Sequence, residues 1–203
     1  MQMPFMSQLD TISILAGGWS ARNIDRSRLP GLVIAVNQSG VEAPKVDVIV
    51  TMDRLWIESC WSKLCELKKP TWARPAALLN ISDRPSWLNV FECNYKTVVF
   101  SDEPNRLNGM NSAFCALNLA YQMRPKRIVL FGFDMTRSEK GEDHWYMNYP
   151  WAKGTSNGKY VMWAKQFGEV SNAFWAAKIE VFNASLQSKI TAFPKVAAEK
   201  VLV

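Results

Sequence analysis

Thr11-Ile12-Ser13-Ile14-Leu15-Ala16-Gly17-Gly18 is an apolar, β-rich run that stops on two residues without a Cβ, the pattern of a buried strand entering a tight loop. Two further β-branched runs follow, Leu32 to Val36 and Val46 to Thr51, and the second leads into a helical pattern. There Ile57, Cys60, Trp61, Leu64 and Cys65 fall on one face of an amphipathic helix from about Arg54 to Lys68, which Pro70 ends. Ala76 to Leu79 and Thr97 to Phe100 read as two more short strands. A helix over Ser112 to Met123 precedes the cleanest strand, Arg127 to Gly132. A helix from about Lys159 to Ala177 then leads to a strand over Ile179 to Phe182, and Ala192 to Val203 reads as a tail or short helix packed on the body.

Strands alternating with helices, most strands being short continuous apolar runs, predict a mainly parallel sheet with helices on both faces in a single α/β, Rossmann-like domain. At 203 residues, 48% apolar and 21% charged, the chain suits one self-sufficient core. No run approaches the roughly 18 apolar residues of a membrane helix, and the first residues lack the character of a signal peptide, so a cytoplasmic protein is expected. Cys60, Cys65, Cys93 and Cys115 form no C-x-x-C pair and read as reduced packing residues; with a single histidine, a zinc site has almost no ligand set. The net charge of +6 fits an anionic ligand or a solvated basic surface. It leaves modified DNA open as an acceptor, although no nucleic-acid motif supports it.

In such sheets ligands sit beyond the carboxyl ends of the strands, which directs attention to a few loops. The Gly17-Gly18-Trp19-Ser20 loop is neither a full G-x-G-x-x-G nor a P-loop. Its glycines serve either a plain turn or close approach to a ligand. Asn37 and Asp53 end the second and third strands: they can bind a base or ribose, Asp53 can hold Mg²⁺, and equally Asn37 can shape a turn and Asp53 cap a helix. Asn111 and Ser112 stand where a helix N-terminus either is capped or meets phosphate. Asp134 closes the best strand, and the loop after it carries His144, the side chain best matched to proton transfer near neutral pH or simply a solvated loop residue. Most of the nine tryptophans suit helix faces, but Trp19, Trp145 and Trp151 fall in these loops as candidates for stacking on a base or sugar.

Together, the stretch from Ile14 to Pro30, which contains the Gly17-Gly18 loop and Ile24-Asp25 to Leu29-Pro30, and the strand ending in Asn37 resemble the nucleotide loop of bacterial sialyltransferases that use CMP-sialic acid. Asn111-Ser112 to Tyr121, the Gly132-Phe133-Asp134 strand end, and the Phe182 to Ser185 and Ser188 to Pro194 segments are similar in type. The signature is shared with 6-hydroxymethylpterin pyrophosphokinase-like proteins and with many phage-encoded proteins. The resemblance implies a nucleotide or nucleotide-sugar donor lying over Gly17, Gly18, Ser20, Asn37 and Asp53, with Ser112 near the phosphates, His144 as general base and a lid at 135–158. Trp19, Ala21 and Asp53 depart from the family pattern, and no D-x-D motif is present. The expectation is glycosyl transfer to an unknown acceptor. Mg²⁺-dependent pyrophosphoryl transfer, with Asp53 and Asp134 holding the metal, and a catalytically silent nucleotide-binding module are the alternatives.

Overall fold

The structure is a computed structural model that describes residues 10–94, 97, 99–146 and 155–203. Its centre is a sheet of seven strands, β1 (Thr11–Leu15), β2 (Leu32–Val36), β3 (Val48–Thr51), β4 (Thr71–Ala73), β5 (Leu88–Val90), β6 (Arg127–Phe131) and β7 (Glu180–Asn183), in the order β5-β4-β3-β2-β1-β6-β7. Every pairing is parallel. Ile14 lies opposite Ile34 on one side and Leu130 on the other.

Both faces are buried, which is why the strands read as continuous apolar runs rather than alternations. Ile12, Ile14, Ile34, Val50, Ile128 and Leu130 point to one face, where helices α4 (Ser112–Gln122), α5 (Asn157–Glu169) and α6 (Ser171–Ala176) supply Phe114, Phe167 and Phe174. Leu15, Val33, Ala35, Ile49, Val129 and Phe131 point to the other, covered by Trp56 and Ile57 of α2 (Arg54–Ser59) and Leu64 of α3 (Trp61–Leu67). A single-turn helix α1 (Ser39–Glu42) follows β2.

Three expectations are corrected. The run Ala76 to Leu79 is not a strand: Pro75 opens a 3-10 turn over Pro75–Ala77, and the strand is the preceding Thr71–Ala73. Thr97, Val99 and Phe100 are not in a strand either; the Thr97 hydroxyl accepts from the Val99 amide in a local turn, and the edge strand is Leu88–Val90. The two long helices are each broken. At Cys60 the Ser59 hydroxyl donates back to the Trp56 carbonyl (2.8 Å), a bond that bends helices, and α5 gives way to α6 at β-branched Val170.

From β1 the chain steps outward through β2 to β5, then returns through α4 to place β6 on the other side of β1. The strand order therefore reverses between β1 and β6. The carboxyl ends of these two strands open the crevice in which doubly wound sheets bind ligands.

Candidate functional site

The crevice is built from the exits of β1 and β6. Gly18 N–H donates to the Gly132 carbonyl (2.9 Å), and Gly132 turns with φ +70°, a left-handed conformation natural to glycine. A Cβ on Gly18 would collide with the Gly132 carbonyl oxygen and the Asp134 carboxylate. The sequence left open a plain turn or close approach to a ligand at this glycine; in the structure the chain's own β6 exit packs against it. Asp134 is 1% exposed. Its Oδ2 accepts from Ser20 N–H (2.9 Å), while its Oδ1 is buried without a hydrogen-bond partner. Burial pushes the carboxyl pKa up, and the Ser20 contacts partly offset it. Ser20 Oγ also bonds Ser185 Oγ (2.9 Å), which accepts from Phe133 N–H (3.0 Å), so β7's exit completes the seat.

The neighbouring loops place the other expected residues on this edge. Asn37 turns the chain after β2 with φ +48°, and its Oδ1 is buried without a partner. Asp53 caps α2, its Oδ1 accepting from Trp56 N–H (3.2 Å). Asn111 caps α4 through Phe114 N–H (2.9 Å), and its Nδ2 is a buried donor without a partner. Ser112 latches α4 to β3's exit by accepting from Met52 N–H (2.9 Å). Asn37, Asn111 and Asp134 thus each carry one buried polar atom that water or protein would ordinarily satisfy. Among the described residues, no group of three or more His, Cys, Asp or Glu side chains is arranged to hold a metal.

Across this seat lies an arm, residues 142–146. Trp145 N–H donates to the Gly17 carbonyl (3.0 Å), and His144 bridges to Gly18 in antiparallel sense. His144 Nδ1 sits 3.3 Å from the Gly17 carbonyl oxygen, and since a carbonyl can only accept, the neutral ring carries its proton on Nδ1 and its lone pair on Nε2. Burial lowers the imidazole pKa, opposed by the Gly17 bond and by Asp143, so the neutral form is favoured at pH 7. The ring stacks on Tyr146 with centroids 5.0 Å apart. Arg22 clips the arm down: its guanidinium donates to the carbonyls of His144 (2.9 Å) and Trp145 (3.3 Å) and pairs with Glu142 (2.5 Å). Asp143 is held separately, accepting from Tyr160 OH (2.7 Å) and Arg137 Nε (3.0 Å).

One tryptophan expectation changes. Trp145 is buried, its Nε1 donates to Ser39 Oγ (3.1 Å), and Arg26 covers its ring at 4.1 Å, so it is a packing residue and offers no open stacking face. Trp19 fastens its indole N–H to the Thr136 carbonyl (3.2 Å). Trp151 lies outside the described residues, as does the middle of the expected lid, and Asn157 and Gly158 at its end belong to α5. Arg22, Ser185 and Tyr160 are site residues to which the sequence reading assigned no role. Their contacts span 122, 165 and 17 positions, and local patterning carries no signal for them.

No protein-family model matches the chain, and no curated protein matches it in sequence. Solved structures do. The sialyltransferase CstII from Campylobacter jejuni with cytidine-5'-monophosphate superposes with a TM-score of 0.59 at 16% identity, over 95% of this chain and 86% of that one. The monofunctional α-2,3-sialyltransferase Cst-I from the same organism gives 0.58 at 14%, over 96% and 83%. CST-II in complex with a trisaccharide acceptor and CMP gives 0.59 at 14%, over 96% and 88%. At these identities the likeness establishes a shared fold, over nearly the whole chain.

Proposed function

We propose that this protein is a glycosyltransferase that takes a sugar from a nucleotide-activated donor and places it on an acceptor hydroxyl. The observation that carries the reading is the set of buried, unpartnered polar atoms, Asn37 Oδ1, Asn111 Nδ2 and Asp134 Oδ1, at the switch-point edge of the sheet. Leaving such groups unsatisfied costs about 1–3 kcal/mol each, and a polar ligand at this edge removes that cost. The fold is shared with enzymes solved with CMP at hand.

On this reading Asn37, Asn111 and Asp134 hold the base and ribose beside Gly17, Gly18, Trp19 and Ser20. Ser112, whose oxygen already accepts from Met52, turns its O–H toward the phosphate at the N-terminus of α4. His144 Nε2 takes the proton of the acceptor hydroxyl as its oxygen bonds the anomeric carbon, and the sugar–phosphate bond breaks with its electron pair leaving on the nucleotide phosphate.

The test is nucleotide release from a panel of CMP-, UDP- and GDP-sugars, with and without EDTA. Release that persists in EDTA and is lost in His144→Ala supports the proposal. A Mg²⁺-dependent reaction with ATP would replace it with pyrophosphoryl transfer, and tight binding without turnover of any donor would leave a silent binding module.

A further inference from the structure

Beside the crevice, on its β7 side, a cleft of about 730 Å³ opens between α5 and the loops that carry Asp134 to Thr136 and Lys189 to Thr191. Its position ties it to the site at two points. One wall continues directly from Asp134, and Lys189 N–H donates to the Asp134 carbonyl (2.8 Å). The other wall is Tyr160, whose hydroxyl is bonded to Asp143, the neighbour of His144. A molecule in this cleft lies next to both the donor seat and the arm with the proposed base.

The lining has the chemistry of a charged sugar site. Val161, Ala164 and the edge of the mostly buried Tyr160 give an apolar side, and Thr136, Asn157 and Thr191 offer hydroxyl and amide groups for sugar hydroxyls. Two ammonium groups face one carboxylate. Lys165 stands 3.9 Å from Glu169, while Lys189 has no ion-pair partner among the described residues.

We propose that this cleft receives the acceptor, and that the acceptor is a sugar bearing an anionic group, carboxylate or phosphate, that pairs with Lys189. The inference rests on the glycosyl-transfer reading for the word acceptor, but the binding it asserts is measurable without turnover. The rim charge selects the substrate class, and the neutral lining holds the ring.

The experiment is an NMR titration of the full chain with methyl galactoside, methyl galacturonoside and galactose 6-phosphate, each with and without saturating CMP. Both anionic probes, or one of them, are expected to bind at least about tenfold more tightly than the neutral one, in keeping with a charge-assisted hydrogen bond. Preference for one anionic probe identifies carboxylate or phosphate as the source. Lys189→Glu, at an exposed position that leaves the fold intact, should erase the preference, and Thr191→Trp, which fills the cleft, should weaken all three probes about tenfold. CMP affinity should stay unchanged in both variants. Equal binding of neutral and anionic probes, or a preference that survives Lys189→Glu, overturns the proposal. If CMP binds and no sugar does, the cleft proposal alone falls; if anionic sugars bind and no nucleotide does, the donor reading falls and the anionic sugar site stands.

Discussion

Gly17 and Gly18 are adjacent, yet they face two different kinds of structure. A Cβ on Gly18 would meet backbone, the Gly132 carbonyl, and the buried Asp134 carboxylate; a Cβ on Gly17 would meet side-chain atoms of the arm, Tyr146 OH at 2.5 Å and His144 Nδ1 at 3.1 Å. The seat at the exits of β1 and β6 is fixed by the Gly18–Gly132 main-chain hydrogen bond together with the buried Asp134 and Ser185 side chains. The arm above it makes one backbone bridge, Trp145 N–H to the Gly17 carbonyl, and is otherwise held by side chains, chiefly Arg22 and the Trp145 indole. The seat is built into the exits of the strands themselves, whereas the arm lies across them and anchors through the buried Trp145.

Substitution at the two glycines should separate seat from arm most sharply. Gly18→Val should destabilise the whole domain by about 3 kcal/mol or more, because backbone cannot yield as a side chain does, and the loss should appear in thermal unfolding before any ligand is added. Gly17→Ala should cost only about 1 kcal/mol and displace the arm, seen as altered His144 and Tyr146 ring resonances. Equal destabilisation by the two would erase the distinction between seat and arm.

The arm's chemistry gives the next largest effect. His144→Ala should lower kcat about 10²–10⁴-fold with donor Kd nearly constant, since a general base acts on the acceptor proton in the transition state. Comparable loss of donor affinity would mean that His144 belongs to the seat. Arg22→Gln should release the arm with the fold intact. His144 is the chain's only histidine, so its ring gives one imidazole titration, and that pKa should rise from its lowered position toward the ordinary value of about 6.5 as the ring meets water, with partial recovery in Arg22→Lys. An unchanged titration would show that Arg22 does not set the arm.

The smallest effects are those of pH. A histidine whose pKa is lowered in the folded state leaves stability unaffected well above pH 6.5 and removes some as the pH falls through that value toward the folded pKa, so His144→Gln should flatten the acid side of the melting curve. Asp134 has the opposite form: its raised pKa makes the fold relatively more stable in acid, with that advantage lost as pH rises from the usual carboxylate range through the folded pKa. Asp134→Asn should accordingly gain stability at pH 7 relative to wild type, and lose the gain near pH 3, by thermal melts across pH.

How much of this was legible in the sequence follows from what each part depends on. β1, β2 and β6 are buried on both faces and flanked by glycine or asparagine, so their apolar runs announce them, and with them the edge on which Gly17, Asn37, Asp53 and Asp134 sit. β4 and β5 are three residues each and carry Thr71 and Asn89, too short and too polar for a pattern, and the apolar runs beside them attracted the assignment. The caps at Asp53 and Asn111 were legible as alternatives because capping is local. The bonds from Ser20 to Asp134 and from Arg22 to His144 cross 114 and 122 residues and exist only once the strand order brings β1 beside β6. For the same reason the sequence could not show what packs against Gly18, since Gly132 is more than a hundred residues away.

The proposed glycosyl transfer requires a nucleotide in the seat at the carboxyl ends of β1, β2 and β6. Titration of CMP into the isotopically labelled protein, read at the backbone amides of Gly17, Gly18 and Ser20 and at the side-chain amides of Asn37 and Asn111, tests it most directly. Saturable shifts are expected at these groups and at the His144 ring, with Asp134→Ala weakening the affinity by about tenfold, the size expected for one lost hydrogen bond to a buried polar group. Saturable binding that leaves these resonances still while shifting those of another surface, or no saturable binding of CMP or any other nucleotide, would contradict it.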